Sequence, residues 1–98
     1  MGPDGTAYAA DVGLRRVRPK DVAIDELDLA YVTDAAFNNV QVFDPDYGLL
    51  TFVGSGGGEP GQFRIASGVA VHGDRFAVVD QLNRRVQVFR FIVPKDAE

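Results

Sequence analysis

Apolar residues in this chain come in short runs that alternate with polar positions and stop at turn-forming residues. Val22–Ile24, Leu29–Thr33, Val40–Phe43 and Leu49–Val53 are rich in β-branched and aromatic side chains. Between them stand Asp25-Glu26-Leu27-Asp28, the bend from Ala35 to Asn39, and Asp44-Pro45-Asp46-Tyr47-Gly48. Runs this short, bounded this way, predict β-strands joined by tight turns. Pro45 presets φ, and Gly48 is expected to take the positive φ of a hairpin end. Val69–Val71, Phe76–Val79 and Val86–Phe89 continue the pattern, and no segment sustains helical periodicity.

The later runs repeat the earlier ones. Val32-Thr33-Asp34 aligns with Val78-Val79-Asp80, and Val40-Gln41-Val42-Phe43 with Val86-Gln87-Val88-Phe89, both at an offset of 46 residues. Upstream, Asp21-Val22-Ala23-Ile24 aligns with Gly68-Val69-Ala70-Val71 at an offset of 47, which places one extra residue in the Asp25–Asp28 turn. Strand-rich units at a period of roughly 40–50 residues signal propeller blades of four antiparallel strands. The fold class expected is therefore all-β, with two blades per chain, over residues 19–54 and 55–98. Residues 1–18 read as a lone strand, Thr6–Ala10, and a link. That strand is expected to complete the second blade from its outer edge, with the third strand of that blade running on to Val93.

The second unit resembles the NHL repeat throughout: Gly61-Gln62-Phe63, then Gly68-Val69-Ala70-Val71, then Val79-Asp80-Gln81-Leu82-Asn83-Arg84-Arg85-Val86-Gln87-Val88-Phe89. The first unit departs from it. Phe37 and Asn39 stand where the pattern has Asn and Arg, and Asp21 replaces the Gly before Val-Ala. The resemblance implies β-propeller blades, a closed six-bladed ring, and in most members a scaffold for other molecules. Some members read RNA, and some are metal-dependent lyases or hydrolases in a complete ring.

A blade is apolar on both faces, and two blades bury only one face-to-face contact. The chain is thus expected to be a fragment of a longer array, or a subunit that self-associates head to tail, three copies giving six blades. Alternation places Val40 and Val42 on one face of their strand, with Gln41 and Phe43 on the other, and both faces are expected to meet neighbours.

Composition narrows the chemistry. Of 98 residues, 46% are apolar and 24% charged, the balance of an ordinary globular domain. The net charge of −4 argues against nucleic acid as the default partner. Basic residues do cluster at Arg15, Arg16, Arg18 and Lys20, and at Arg84, Arg85 and Arg90, where scattered solvated charges are the simpler reading. There is no cysteine, so no disulfide framework or thiolate chemistry is available, and the compartment stays open. No apolar run approaches the ~20 residues that cross a bilayer, and Met1–Gly5 lacks a signal-peptide pattern.

Asp34 and Asp80 end equivalent strands. They are read as structural carboxylates that accept backbone N–H groups from the bend that follows, because a catalytic group need not recur in every unit. Asn83, like Asn39, suits a tight turn. Gly56, Gly58 and Gly61 match G-x-G-x-x-G formally, but no helix follows to bind phosphate, so they read as a flexible link. His72, the one histidine, cannot make a zinc site alone. Asp25, Glu26 and Asp28, like Asp44 and Asp46, lack the spacing of a calcium loop. The expectation is a non-catalytic protein-binding scaffold without metal or cofactor, whose surface includes Arg84, Arg85 and His72. The alternatives are an RNA-binding surface at Arg84 and Arg85, or part of a metal-dependent propeller enzyme.

Overall fold

The computed structural model describes residues 18–92, and the strand expected at Thr6–Ala10 and the extension to Val93 lie outside them. Seven strands form two antiparallel sheets: β1 (Pro19–Ile24), β2 (Ala30–Asp34), β3 (Asn39–Phe43) and β4 (Leu49–Val53) in one, β5 (Ala66–His72), β6 (Arg75–Asp80) and β7 (Arg85–Arg90) in the other. Neighbours in sequence are neighbours in each sheet, as short turns require. Both sheets are open, and among the described residues no helix is long and apolar enough to cross a membrane.

The two sheets share one register. Tyr31 pairs with Val42 and Thr33 with Val40, as Ala77 pairs with Val88 and Val79 with Val86. Val32 opposes Gln41, as Val78 opposes Gln87. Each sheet therefore has a valine face, carrying Val40 and Val42 or Val86 and Val88, and a phenylalanine face, carrying Gln41 and Phe43 or Gln87 and Phe89. The extra residue of the first unit does fall in the β1–β2 turn. Five residues separate Ile24 from its partner Ala30, whereas four separate the equivalent pair, Val71 and Phe76.

The core forms where the valine face of the first sheet lies on the phenylalanine face of the second, with β5 against β1 and β2. Tyr31, Val40 and Val42 meet Phe63, Val69, Phe76 and Val78 there, and the Tyr31 and Phe76 rings sit 5.1 Å apart. Phe89 stacks on Phe76 at 5.2 Å and meets the edge of Phe63 at 5.9 Å.

Two turn expectations change. Positive φ falls on Tyr47 (68°), not on Gly48. Gly48 is needed for a different reason: a Cβ there would lie 2.9 Å from Asp44 Oδ2, the carboxylate that accepts the N–H groups of Asp46 and Gly48. The glycine-rich link is also a built loop. Phe63 N–H reaches Ser55 O, Gly57 N–H reaches Phe63 O, and Gly61 N–H reaches Gln87 Oε1. The fully buried Phe63 ring anchors it.

Candidate functional site

Asp34 and Asp80 are both fully buried at the ends of β2 and β6. Each carboxylate ties the residue that leads into its sheet. Arg18 N–H donates to Asp34 Oδ1 at 3.1 Å, and Arg64 N–H to Asp80 Oδ1 at 2.7 Å. Each also receives the side-chain amide of the β3 or β7 glutamine, Gln41 at 2.9 Å and Gln87 at 3.2 Å.

The two sites differ beyond that point. Asp34 accepts Ala36 N–H at 2.8 Å and Phe37 N–H at 3.3 Å, the turn expected after it. Asp80 instead gathers side chains, Asn83 Nδ2 and Arg85 Nε, each at 2.8 Å. The difference follows from the substitutions between the units: Asn83 and Arg85 occupy the places of Phe37 and Asn39, and they reach the carboxylate in place of backbone donors. Burial alone would raise the Asp80 pKa. The Arg64 N–H and the Asn83, Arg85 and Gln87 donors outweigh it and hold the carboxyl below its usual range.

Arg85 and Asn83 carry this hub into the glycine-rich loop. Arg85 Nη2 donates to Glu59 O and Gln62 O, both at 2.9 Å, and Asn83 Nδ2 donates to Gly57 O at 2.9 Å. The Arg85 guanidinium is thus held within the molecule. Arg84, next to it, is exposed at φ 56°, the same left-handed conformation that Asn38 takes at the equivalent position. His72 is exposed at the β5–β6 hairpin, remote in sequence from the arginines and on a different turn. The structure therefore does not gather Arg84, Arg85 and His72 into one constellation of side chains.

At the β1–β2 and β5–β6 turns, a shallow depression of about 240 Å³ is lined by Asp25, Leu29, Tyr31, Asp74 and Phe91 among others. Asp25 is engaged there by Leu27 N–H at 2.8 Å, Leu29 N–H at 3.0 Å and Tyr31 O–H at 3.0 Å. Burial, then the bond to Asp25 and its charge, push the Tyr31 phenol up to about 12. Among the described residues, no three His, Asp or Glu side chains come together in a metal-holding arrangement.

Among the described residues, the outer faces of both sheets expose apolar side chains. Val86 and Val88 are 60% and 66% exposed, where Val40 and Val42 are fully buried, and Val79 is exposed beside them. On the other side of the molecule, Val22 and Ile24 on β1 and Phe52 on β4 are exposed, flanking the buried Val32 and Phe43. Alternation and the repeat make these faces legible as apolar. The Asp80 hub was not, because Arg85 reads as a surface group and Asn83 as a turn residue. No family model matches the chain, and no curated protein is significantly similar to it.

Proposed function

We propose that the chain is a non-catalytic binding module, built of two consecutive NHL-type propeller blades, that works by presenting surfaces to other protein. The observation that carries this reading is exposed apolar surface, the valine face of the second sheet with Val79, Val86 and Val88 above all, on a frame whose buried carboxylates are occupied by structural donors. Contiguous exposed apolar surface marks an interaction site on a protein of this kind. The hubs at Asp34 and Asp80 make the frame rigid, and rigid frames with exposed faces and turns suit recognition rather than bond chemistry.

The competing RNA reading would need cations and stacking rings free on one surface. Arg85 is engaged with Asp80 and two loop carbonyls, leaving Arg84 as the exposed member of that pair. Fluorescence anisotropy with labelled single-stranded RNA tests the point. The module should bind weakly and release the RNA at roughly physiological salt, since few phosphates are neutralised at once. Sequence-selective binding that survives that salt and disappears in Arg84→Ala would replace the scaffold reading with an RNA-binding one.

A further inference from the structure

The exposed valine face of the second sheet is built of three rows that run across its strands. Gly68, Val79 and Val86 form the first, Ala70, Ala77 and Val88 the second, and His72, Arg75 and Arg90 the third. Glycine and alanine keep the middle of the face low. A largely apolar hollow of about 210 Å³ lies there, lined by Ala70, Ala77, Val88, His72 and Arg75 among others. Pairing puts the three basic side chains of the third row on the same side of the sheet as Ala77 and Val88, and all three are exposed. Arg75 stands directly opposite Arg90, and like charges so placed destabilise a sheet. Asp74 pairs with Arg90 at 2.7 Å, while Arg75 has no ion pair among the described residues.

The first sheet shows what this face lacks. Tyr31 occupies the place of Ala77, and its ring fills the space against the facing sheet, 5.1 Å from Phe76. Asp25, which receives the Tyr31 O–H at 3.0 Å, occupies the place of His72. Leu29 and Asp44 occupy those of Arg75 and Arg90. The second sheet thus lacks the ring, and it carries bases where the first carries acids or leucine. We infer that this face docks an acidic segment of a protein partner. The partner seats one large apolar side chain in the hollow and sets carboxylates against His72, Arg75 and Arg90. The inference rests on the binding-module reading above and names the chemistry of its partner. A basic row draws an acidic partner and repels a basic one, so it sets specificity as well as attraction. The hollow is smaller than the roughly 300–1,000 Å³ of a site for a drug-sized ligand, and it suits a single side chain. The net charge of −4 disfavours a bilayer or an RNA chain, which presents anions over a wide area. A second copy does not repeat the internal contact here, because the centre of the first sheet's phenylalanine face is closed. Val32, Asp34, Gln41 and Phe43 are each 8% exposed or less.

NMR titration of the full chain with blocked tripeptides tests the ring and the charge separately. Acetyl-Asp-Phe-Asp-amide should shift the Ala70, Ala77 and Val88 methyl signals and saturate in the millimolar range. Acetyl-Asp-Ala-Asp-amide lacks the ring, and acetyl-Lys-Phe-Lys-amide reverses the charge. Each should bind at least about fivefold more weakly, the factor that one good exposed ion pair or a partly buried side chain supplies. Arg75→Glu, at an exposed position, should turn the preference toward the lysine peptide. Ala77→Tyr, which fills the hollow from within as Tyr31 does, should abolish the shifts. Circular dichroism melts establish that both variants fold. Absence of saturable shifts, or equal affinity for the acidic and basic peptides, overturns the inference. Either result leaves the binding-module reading, which the RNA titration tests separately. Co-sedimentation with phosphatidylserine–phosphatidylcholine vesicles that is lost in Arg75→Glu would assign the face to a membrane instead. A dimer in sedimentation velocity that Ala77→Tyr dissolves would assign it to a second copy, and both outcomes overturn the inference too.

Discussion

Replacing Asp80 with alanine removes the acceptor at the centre of the second sheet's polar hub. The side chain is fully buried and receives Arg64 N–H, Asn83, Arg85 and Gln87 at 2.7 to 3.2 Å. Three of these donors keep another acceptor: Asn83 has Gly57 O, Arg85 has Glu59 O and Gln62 O, and Gln87 has Gln62 O. Arg64 N–H has none besides Asp80, and because that bond is only part-buried its loss falls at the lower end of the roughly 1–3 kcal/mol that an unsatisfied donor costs. Breaking a buried charge pair costs about 3–5 kcal/mol, but the Arg85 side chain is 30% exposed and solvent screens part of that. A loss of about 3 kcal/mol is therefore expected, read as a lower urea midpoint at unchanged slope. Asp80→Asn, which keeps one oxygen acceptor, should lose less.

The same carboxyl predicts an acid limb. Its pKa is lowered in the folded chain, against about 3.9 unfolded. Its contribution is therefore fully present above the unfolded value and is lost as pH falls through the folded one. The stability of Asp80→Ala should accordingly begin to converge on that of the parent only as pH falls below about 4. A variant within about 0.5 kcal/mol of the parent at neutral pH, the scatter of an ordinary surface change, would refute the hub as a stabilising centre.

Two further outcomes follow from the packing. Gly54 sits at φ 100° with its missing Cβ directed 2.3 Å from Phe63 Cε2, so Gly54→Ala should cost more than about 2 kcal/mol and Phe63→Ala about 3–5 kcal/mol. In a urea-denaturation cycle the double variant should lose clearly less than the sum, because removing the ring relieves the clash. Tyr31, raised to about 12, should appear in tyrosinate absorbance as a late-ionising phenol that Tyr31→Phe abolishes. Its neutral form stabilises the fold fully below about pH 10, and that contribution fades as pH rises through about 12.

Seven strands, their turns and their antiparallel order were legible from alternation and repetition, since Val40-Gln41-Val42-Phe43 and its copy at 86–89 have only one way to pleat. The burial of those copies was not. Alternation names faces, but which face is covered depends on the neighbouring sheet, and Val86 and Val88 have none among the described residues. The glycine-rich loop was misread because glycine signals freedom locally, whereas Arg85, Asn83 and Gln87, some 25 residues away, hold its backbone. Asp21 and Asn38, where the two units diverge, are the residues that lock the two sheets together. Departures from a repeat thus show where its copies have been fitted to each other.

The central claim is that one sequence block meets two opposite environments because the stack covers only one of its copies. Methyl relaxation by a soluble paramagnetic agent measures that directly. Val40 and Val42 methyls should be nearly unaffected, while Val86 and Val88 relax as strongly as surface methyls. Equal relaxation of the two pairs would contradict the account.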